Sequence, residues 1–355
     1  MRTLRLCFVS LLPVVVGVLM SVEGTAAQAD NRAAETRATV IARSKVWIPM
    51  DIPSLDLKAG PGEPGSFPLG ATITCKYLDK KMSGMSPKFA CVTADGDELK
   101  VKYGGANGEV YGEVMSSRLL WALGFGADRM YSVRVVCQGC PAHIGGIVRD
   151  NGDRILDPAA VERKFGHDEL FADWKWRELE FVDEESGGAS LAERDALTLL
   201  AVFLQHSDSK PVQQRIVCLE PASAGECAQP LMMINDLGVT WGKANRWNQQ
   251  PRGSVNLAEW QAVDIWKGPT GCVGNLSGSF TGTLKEPVIS EEGRQFLADR
   301  MTQLSDDQLR GMFEAARIHL RARAPENARS GLATVDEWVM AFKQKRAQIV
   351  ERRCS

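Results

Sequence analysis

His206, Asp208 and Lys210 stand two apart in the stretch His206-Ser207-Asp208-Ser209-Lys210-Pro211-Val212-Gln213-Gln214. A carboxylate beside an ammonium suits a reaction in which a hydroxyl loses a proton while a dense negative charge moves. Further along, Asp236-Leu237-Gly238 offers a second carboxylate in a turn. Upstream, Glu98-Leu99-Lys100-Val101-Lys102 places two lysines on one face of an expected strand, and Glu109 and Glu113 open the next segment one helical turn apart. Lysines, carboxylates and an amide can neutralise and align a densely charged group without covalent chemistry of their own.

The elements that must position these groups follow from periodicity and turn signals. Residues 71–78 read as a strand, and residues 89–104 as a hairpin turning at Asp95-Gly96. Residues 109–125 read as a helix with an apolar face, ended by Gly124 or Gly126, and residues 130–137 as a further strand. The expected order is β-β-β-α-β, a small antiparallel sheet with one helix. In the second half, residues 168–181 and 190–205 read as helices, the latter with a Ser190/Glu193 capping box. Residues 214–219 and 231–236 read as a second hairpin. A long polar loop then runs to about residue 286, and 290–304, 305–320 and 334–353 read as helices opened by Ser290, Ser305 and Thr334. The fold class expected is α+β.

The ordered set resembles the protein-kinase-like superfamily, closest to its atypical branches: the HipA-type, phosphoinositide-kinase-like and secretory-pathway kinases. The resemblance covers about residues 70–245 and rests on short motifs in the right order. It implies a two-lobed protein-kinase-like fold, with a small antiparallel β lobe carrying one helix and a larger helical lobe. It implies ATP with Mg²⁺ or Mn²⁺, and transfer of a phosphoryl or nucleotidyl group to a hydroxyl on an unknown protein or small-molecule acceptor. Residue by residue, it implies that Lys102 contacts the nucleotide phosphates, with Lys100 as rival. Glu113 pairs with that lysine, with Glu109 as alternative. Asp208 accepts the hydroxyl proton and Lys210 steadies the moving phosphoryl group. Asp236 and Gln213 hold the metal, with Gln214 one residue off. Ser83-Gly84-Met85-Ser86-Pro87-Lys88 covers the phosphates, with Ser86 and Lys88 nearest. The chain departs from the pattern at Ser207, where many protein kinases have arginine; at Gln213, where they have asparagine; and in having one glycine in the covering loop. Gln213, the sparse glycine loop and an exported location favour a second reading, a pseudokinase that binds partners with little turnover.

The bulk numbers exclude other classes. Lys plus Arg is 42 against 44 Asp plus Glu, so no basic footprint for nucleic acid is present. The basic start Met1-Arg2-Thr3-Leu4-Arg5, the apolar run over residues 6–20 and Ala27-Gln28-Ala29 read as a signal peptide over 1–29, hence export and no membrane attachment after cleavage. Residues 30–68 read as a leader, 69–140 as the β lobe and 141–355 as the helical lobe. Of nine cysteines, Cys7 falls in the signal segment, and an even number in an exported chain favours disulfides. Cys75 with Cys91, Cys137 with Cys140 and Cys218 with Cys227 are local pairs, leaving Cys272 with Cys354, although sequence does not determine the connectivity. Cys137-Gln138-Gly139-Cys140 also admits a metal or thiol-exchange reading, which trails for want of a second ligand pair. His143, His167 and His319 have no metal-ligand spacing, and the tryptophans are expected to pack in the core rather than line a groove.

Overall fold

A computed structural model describes residues 37–84, 86–141, 152–221, 227–242, 254–277, 282–322 and 333–354. The signal segment, His143 and Trp247 lie outside the described residues. Val40–Ser355 form one unit, to which everything below belongs. The fold is mixed α+β.

Its β-rich part is a closed barrel rather than an open antiparallel sheet. Strands β1 (Thr72–Leu78), β2 (Lys88–Thr93), β3 (Glu98–Tyr103), β4 (Arg129–Cys140) and β5 (Gly152–Arg163) join in the order β1-β2-β3-β5-β4. A parallel pairing of β1 with β4 closes it, with Cys75 opposite Cys137. The expected sheet lacked β5. Its sequence, Asp153-Arg154-Ile155-Leu156-Asp157-Pro158, hides a strand because proline and aspartate disfavour one. The register of β4 against β5 shifts between Val133 and Val135, so Pro158 falls at an irregularity where no ladder donor is required. Alternation along the strands sends Phe89, Leu99, Val101, Tyr131, Val133 and Val161 into the barrel. The same alternation turns Lys100 and Lys102 to the other face.

Helix α1 (Glu109–Leu123) packs against the barrel and ends at Gly124, whose φ of 86° suits a residue without Cβ. A Cβ there would stand 2.1 Å from the carbonyl oxygen of Ile48. The helix is buried nearly all round because residues 45–67 cross it. Trp47 Nε1 donates to the Leu123 carbonyl at 2.8 Å, and Arg118 Nη1 donates to the Leu57 carbonyl at 3.1 Å. The same strap reaches the barrel through Arg129–Glu63 and the later helices through Gln308, whose amide donates to the carbonyls of Ile52 and Leu55.

Beyond the barrel, β6 (Asp168–Phe171), β7 (Gln214–Pro221) and β8 (Cys227–Ile234) make a small sheet in that order. Residues 168–181, expected as a helix, are β6 followed by a 3-10 turn at Trp176–Phe181. Pairing of Asp168 with Cys218 and burial of Trp174, whose Nε1 donates to the Met233 carbonyl at 3.0 Å, override the helical pattern. Helix α2 (Leu191–Leu204) carries the expected Ser190/Glu193 capping box. Helices α3 (Leu257–Ala262), α4 (Glu291–Met301), α5 (Asp306–Ala315), α6 (Ile318–Ala322) and α7 (Val335–Glu351) follow, with Ser290, Ser305 and Thr334 capping α4, α5 and α7. Phe203, Trp241, Trp260, Phe313, Trp338 and Phe342 form their aromatic core, with Trp241 and Trp260 centroids 4.8 Å apart. No helix among the described residues is long and apolar enough to cross a membrane.

The described cysteines pair as Cys75–Cys91, Cys137–Cys140, Cys218–Cys227 and Cys272–Cys354. Four disulfides fit an oxidising compartment outside the cytosol. Cys137 and Cys140 are bonded to each other and buried, which leaves neither as a thiolate to hold a metal.

Candidate functional site

Lys102 projects from β3 beneath the N-terminus of α1 and is wholly enclosed. Its Nζ lies 2.7 Å from Glu109 Oε2, in an ion pair with Glu113 Oε1, and 3.7 Å from Asp236 Oδ1. Glu109 and Glu113 lie four apart and so share one helix face, which explains how one lysine engages both. The choice between them is therefore not exclusive. Lys100, the rival lysine, turns instead to Glu162 on β5, with Nζ–Oε2 at 2.5 Å.

Burial alone would lower the Lys102 pKa, but Glu113, Asp236 and Glu109 outweigh it and hold the ammonium well above its ordinary value. Burial pushes Glu113 up to about 8, opposed by Lys102 and assisted by the charge of Asp236. Its Oε2 has no hydrogen-bond partner among the described residues. Asp236 goes the other way: burial would raise it, yet Lys102 and Lys100 hold it well below the carboxylate range. The cluster therefore carries a surplus of carboxylate over ammonium, focused at the partly exposed Asp236.

Asp236 sits just beyond β8. Its Oδ1 accepts from the Gly238 amide at 3.2 Å, closing a short Asx-type turn. A Cβ at Gly238 would stand 2.8 Å from Glu109 Cγ, so any side chain there would displace Glu109. Downstream, Thr240 Oγ1 and Trp241 Nε1 meet Ser116 of α1 at 3.0 and 2.8 Å. The turn bearing Asp236 is thereby tied to the helix bearing Glu113. Ser86, from the covering loop, donates its hydroxyl to Glu109 Oε2 at 2.8 Å. Lys88 stands opposite Lys102 in the β2–β3 register, and burial together with that neighbouring ammonium lowers its pKa.

Asp208, Lys210 and Gln213 form a second group on the loop after α2. Lys210 Nζ lies 3.2 Å from Asp208 Oδ2, to which Gln213 Nε2 donates at 2.9 Å. The loop leaves the helix through Gln205 in the left-handed region, φ 54°. It is braced by Ser209, whose Oγ accepts from the Leu284 amide at 2.9 Å. The Gln213 carbonyl accepts from the amides of Asn235 and Asp236 at 2.8 and 3.4 Å, which joins this group to the turn bearing Asp236. Gln214, the alternative amide, is fully buried and donates to the Ser209 carbonyl at 3.4 Å, a bracing role away from the cluster.

His206 is wholly buried, and neither ring nitrogen has a partner among the described residues. Burial drives its pKa from 6.5 to about 4, against the pull of Asp236 and Asp208. A depressed histidine pKa means that the unfolded chain takes up the proton first. Its contribution to stability is complete above about pH 6.5 and is lost as pH falls towards 4. Replacing His206 with leucine is expected to remove about 3 kcal/mol of acid-dependent destabilisation over that window. Urea denaturation at pH 7.5 and 4.5 measures it, and an unchanged pH slope in the variant would refute the assignment.

Among the described residues, no group of three or more His, Cys, Asp or Glu side chains is arranged to hold a metal ion. Asp236 and Gln213 supply one carboxylate and one amide oxygen. In chemical type that donor pair suits a hard divalent cation such as magnesium that keeps several of its waters. The expected residues therefore assemble as two joined groups, Lys102–Glu113–Asp236 with Ser86, and Asp208–Lys210–Gln213. Glu162 was missed because it lies on β5, the strand with no legible pattern, and only its charge next to Val161 marked it.

No protein-family model matches the chain, and no curated protein does. Among solved structures the chain is similar to a proinflammatory kinase of Helicobacter pylori, CtkA, at 9% identity and a TM-score of 0.44, over 79% of this chain and 96% of that one.

Proposed function

We propose that this chain is an exported, two-lobed kinase-like protein that binds ATP–Mg²⁺ and transfers a phosphoryl group to a hydroxyl acceptor. In this reading the barrel with α1 is the small lobe, and the β6–β8 sheet with the remaining helices is the large one. The observation that carries the reading is the enclosure of Lys102 by Glu109, Glu113 and Asp236, next to a loop that pairs Asp208 with Lys210. A strand lysine held by helix carboxylates beside a metal-grade aspartate is the charge arrangement that a triphosphate and a divalent ion require.

The roles divide by charge. Lys102, with Lys88 and Ser86 near it, meets the phosphates. Asp236 and Gln213 hold the ion, which when bound neutralises the phosphate oxygens. Asp208 takes the proton of the acceptor hydroxyl as its oxygen bonds to the γ-phosphorus. The bond from that phosphorus to the β-phosphate oxygen breaks, ADP leaves, and Lys210 balances the charge on the moving group. Nucleotidyl transfer is the lesser variant of the same chemistry.

A second reading is a pseudokinase, a binding module with little turnover. It is favoured by Gln213, which stands in place of asparagine and turns its amide nitrogen to Asp208, and by the single glycine of the covering loop.

Thermal unfolding with ATP and Mg²⁺ or Mn²⁺ tests both. A nucleotide at 100 times its Kd adds about 2.7 kcal/mol of stability, and Asp236→Ala is expected to lose that gain. A wild type with no shift over a wide range of ATP and metal would end the nucleotide reading. A shift without ADP release would select the pseudokinase.

A further inference from the structure

A cavity of about 450 Å³ opens on the face of the barrel that carries Lys100. Its volume is in the range of small-molecule sites, but its walls are not typical of one. Only Met82 and Ala90 are apolar. The remainder is charged and includes two ion pairs, Lys100–Glu162 and Lys80–Glu98.

The register places this cavity beside the site. Lys88 faces Lys102 and Ala90 faces Lys100 on alternate rungs of β2 and β3, with Phe89–Val101 between them. Two residues along a strand is about 7 Å. The pull of Lys100 on Asp236 and the effect of Lys102 on Lys100 express the same proximity. A nucleotide with its phosphates at Lys102, Lys88 and Asp236 therefore has its nucleoside within reach of the cavity.

We infer that the Lys100–Glu162 pair receives the base of the donor nucleotide and that the site does not select adenine over guanine. This inference rests on the nucleotide-binding reading above. The pair remains partly accessible, at 28% and 11% side-chain exposure. It presents ammonium donors beside carboxylate acceptors. Each purine edge carries a donor next to an acceptor: N6–H with N1 in adenine, N1–H with O6 in guanine. A rotatable ammonium and a two-oxygen carboxylate satisfy either arrangement, leaving no buried group unpaired. Strong rejection of an analogue arises when it leaves such a group unpaired. With stacking surface limited to Met82 and Ala90, the triphosphate and its metal choose the donor and the base adds affinity without identity.

The full chain is titrated with ATP, GTP and inorganic triphosphate, each with Mg²⁺, by calorimetry. ATP and GTP are expected to bind within about threefold of each other, and triphosphate about tenfold more weakly, since the base contributes on the order of one charge-assisted hydrogen bond. Glu162→Ala is expected to weaken ATP and GTP alike by about tenfold and to leave triphosphate no weaker. The charge-swapped variant Lys100→Glu with Glu162→Lys keeps the pair if the single variant fails to fold, and is expected to keep the two nucleotides equal. A preference above about tenfold for either base, or nucleotide affinities indifferent to Glu162, overturns the inference while leaving the functional reading intact. Binding by none of the three ligands overturns the functional reading and this inference with it.

Discussion

Replacing Lys102 with methionine is expected to destabilise the protein by about 3–5 kcal/mol, the cost of leaving buried charge without its partner. The side chain is wholly enclosed and its ammonium is shared by Glu109, Glu113 and Asp236. Methionine fills much of the same volume but removes the cation that holds the Asp236 carboxyl ionised, while Glu113, raised to about 8 by burial, keeps its own proton. The double variant Lys102→Met with Asp236→Asn should recover a large part of the loss, because the carboxylate that depends most on Lys102 then needs no counter-charge. Urea denaturation of the four proteins in the cycle measures the coupling. A single variant costing under about 1 kcal/mol would show that the cluster is not an electrostatic centre of the fold. Both variants should also lose the thermal shift with ATP–Mg²⁺, which separates the role of Lys102 towards phosphate from its role in stability.

Asp208→Asn is expected to separate binding from chemistry. Asparagine keeps an oxygen for the 2.9 Å hydrogen bond from Gln213 but cannot take up a proton from the acceptor. Turnover, measured as ADP release, should fall about 10²–10⁴-fold, the usual worth of a general base, with the nucleotide Kd unchanged. Such a loss confined to kcat marks an interaction made only in the transition state. Equal ADP release in wild type and variant would remove Asp208 from the mechanism.

Local signals carried well from sequence to structure, and long-range pairing did not. The Ser190/Glu193 box and the Ser290, Ser305 and Thr334 caps depend on side chains within one turn, so their spacing was sufficient. The hairpin turning near Asp95-Gly96 was legible for the same reason. Strand β5 was not, because its pairing with β3 and β4 tolerates Pro158 at a register irregularity that no local rule announces. Residues 168–181 failed because pairing of β6 with β7 outweighed a weak helical pattern. In the site, the order of motifs brought Lys102, Glu113 and Asp236 into view. It left Glu109 and Glu113 as alternatives, since only three dimensions let one ammonium meet both. The strap over α1 was invisible because it acts largely through backbone carbonyls, at Leu57, Ile52 and Leu55, which any residue type supplies.

The disulfides join successive cysteines along the described chain, 75 to 91, 137 to 140, 218 to 227 and 272 to 354, with no bridge spanning another. A chain that emerges N-terminus first presents each thiol when its native partner is the nearest one still reduced. Random pairing of eight thiols would allow about 105 arrangements. Oxidation in order of emergence reaches the native one directly, without breaking a wrong bond by thiolate attack. Oxidation that follows the order of emergence therefore makes little demand on disulfide reshuffling.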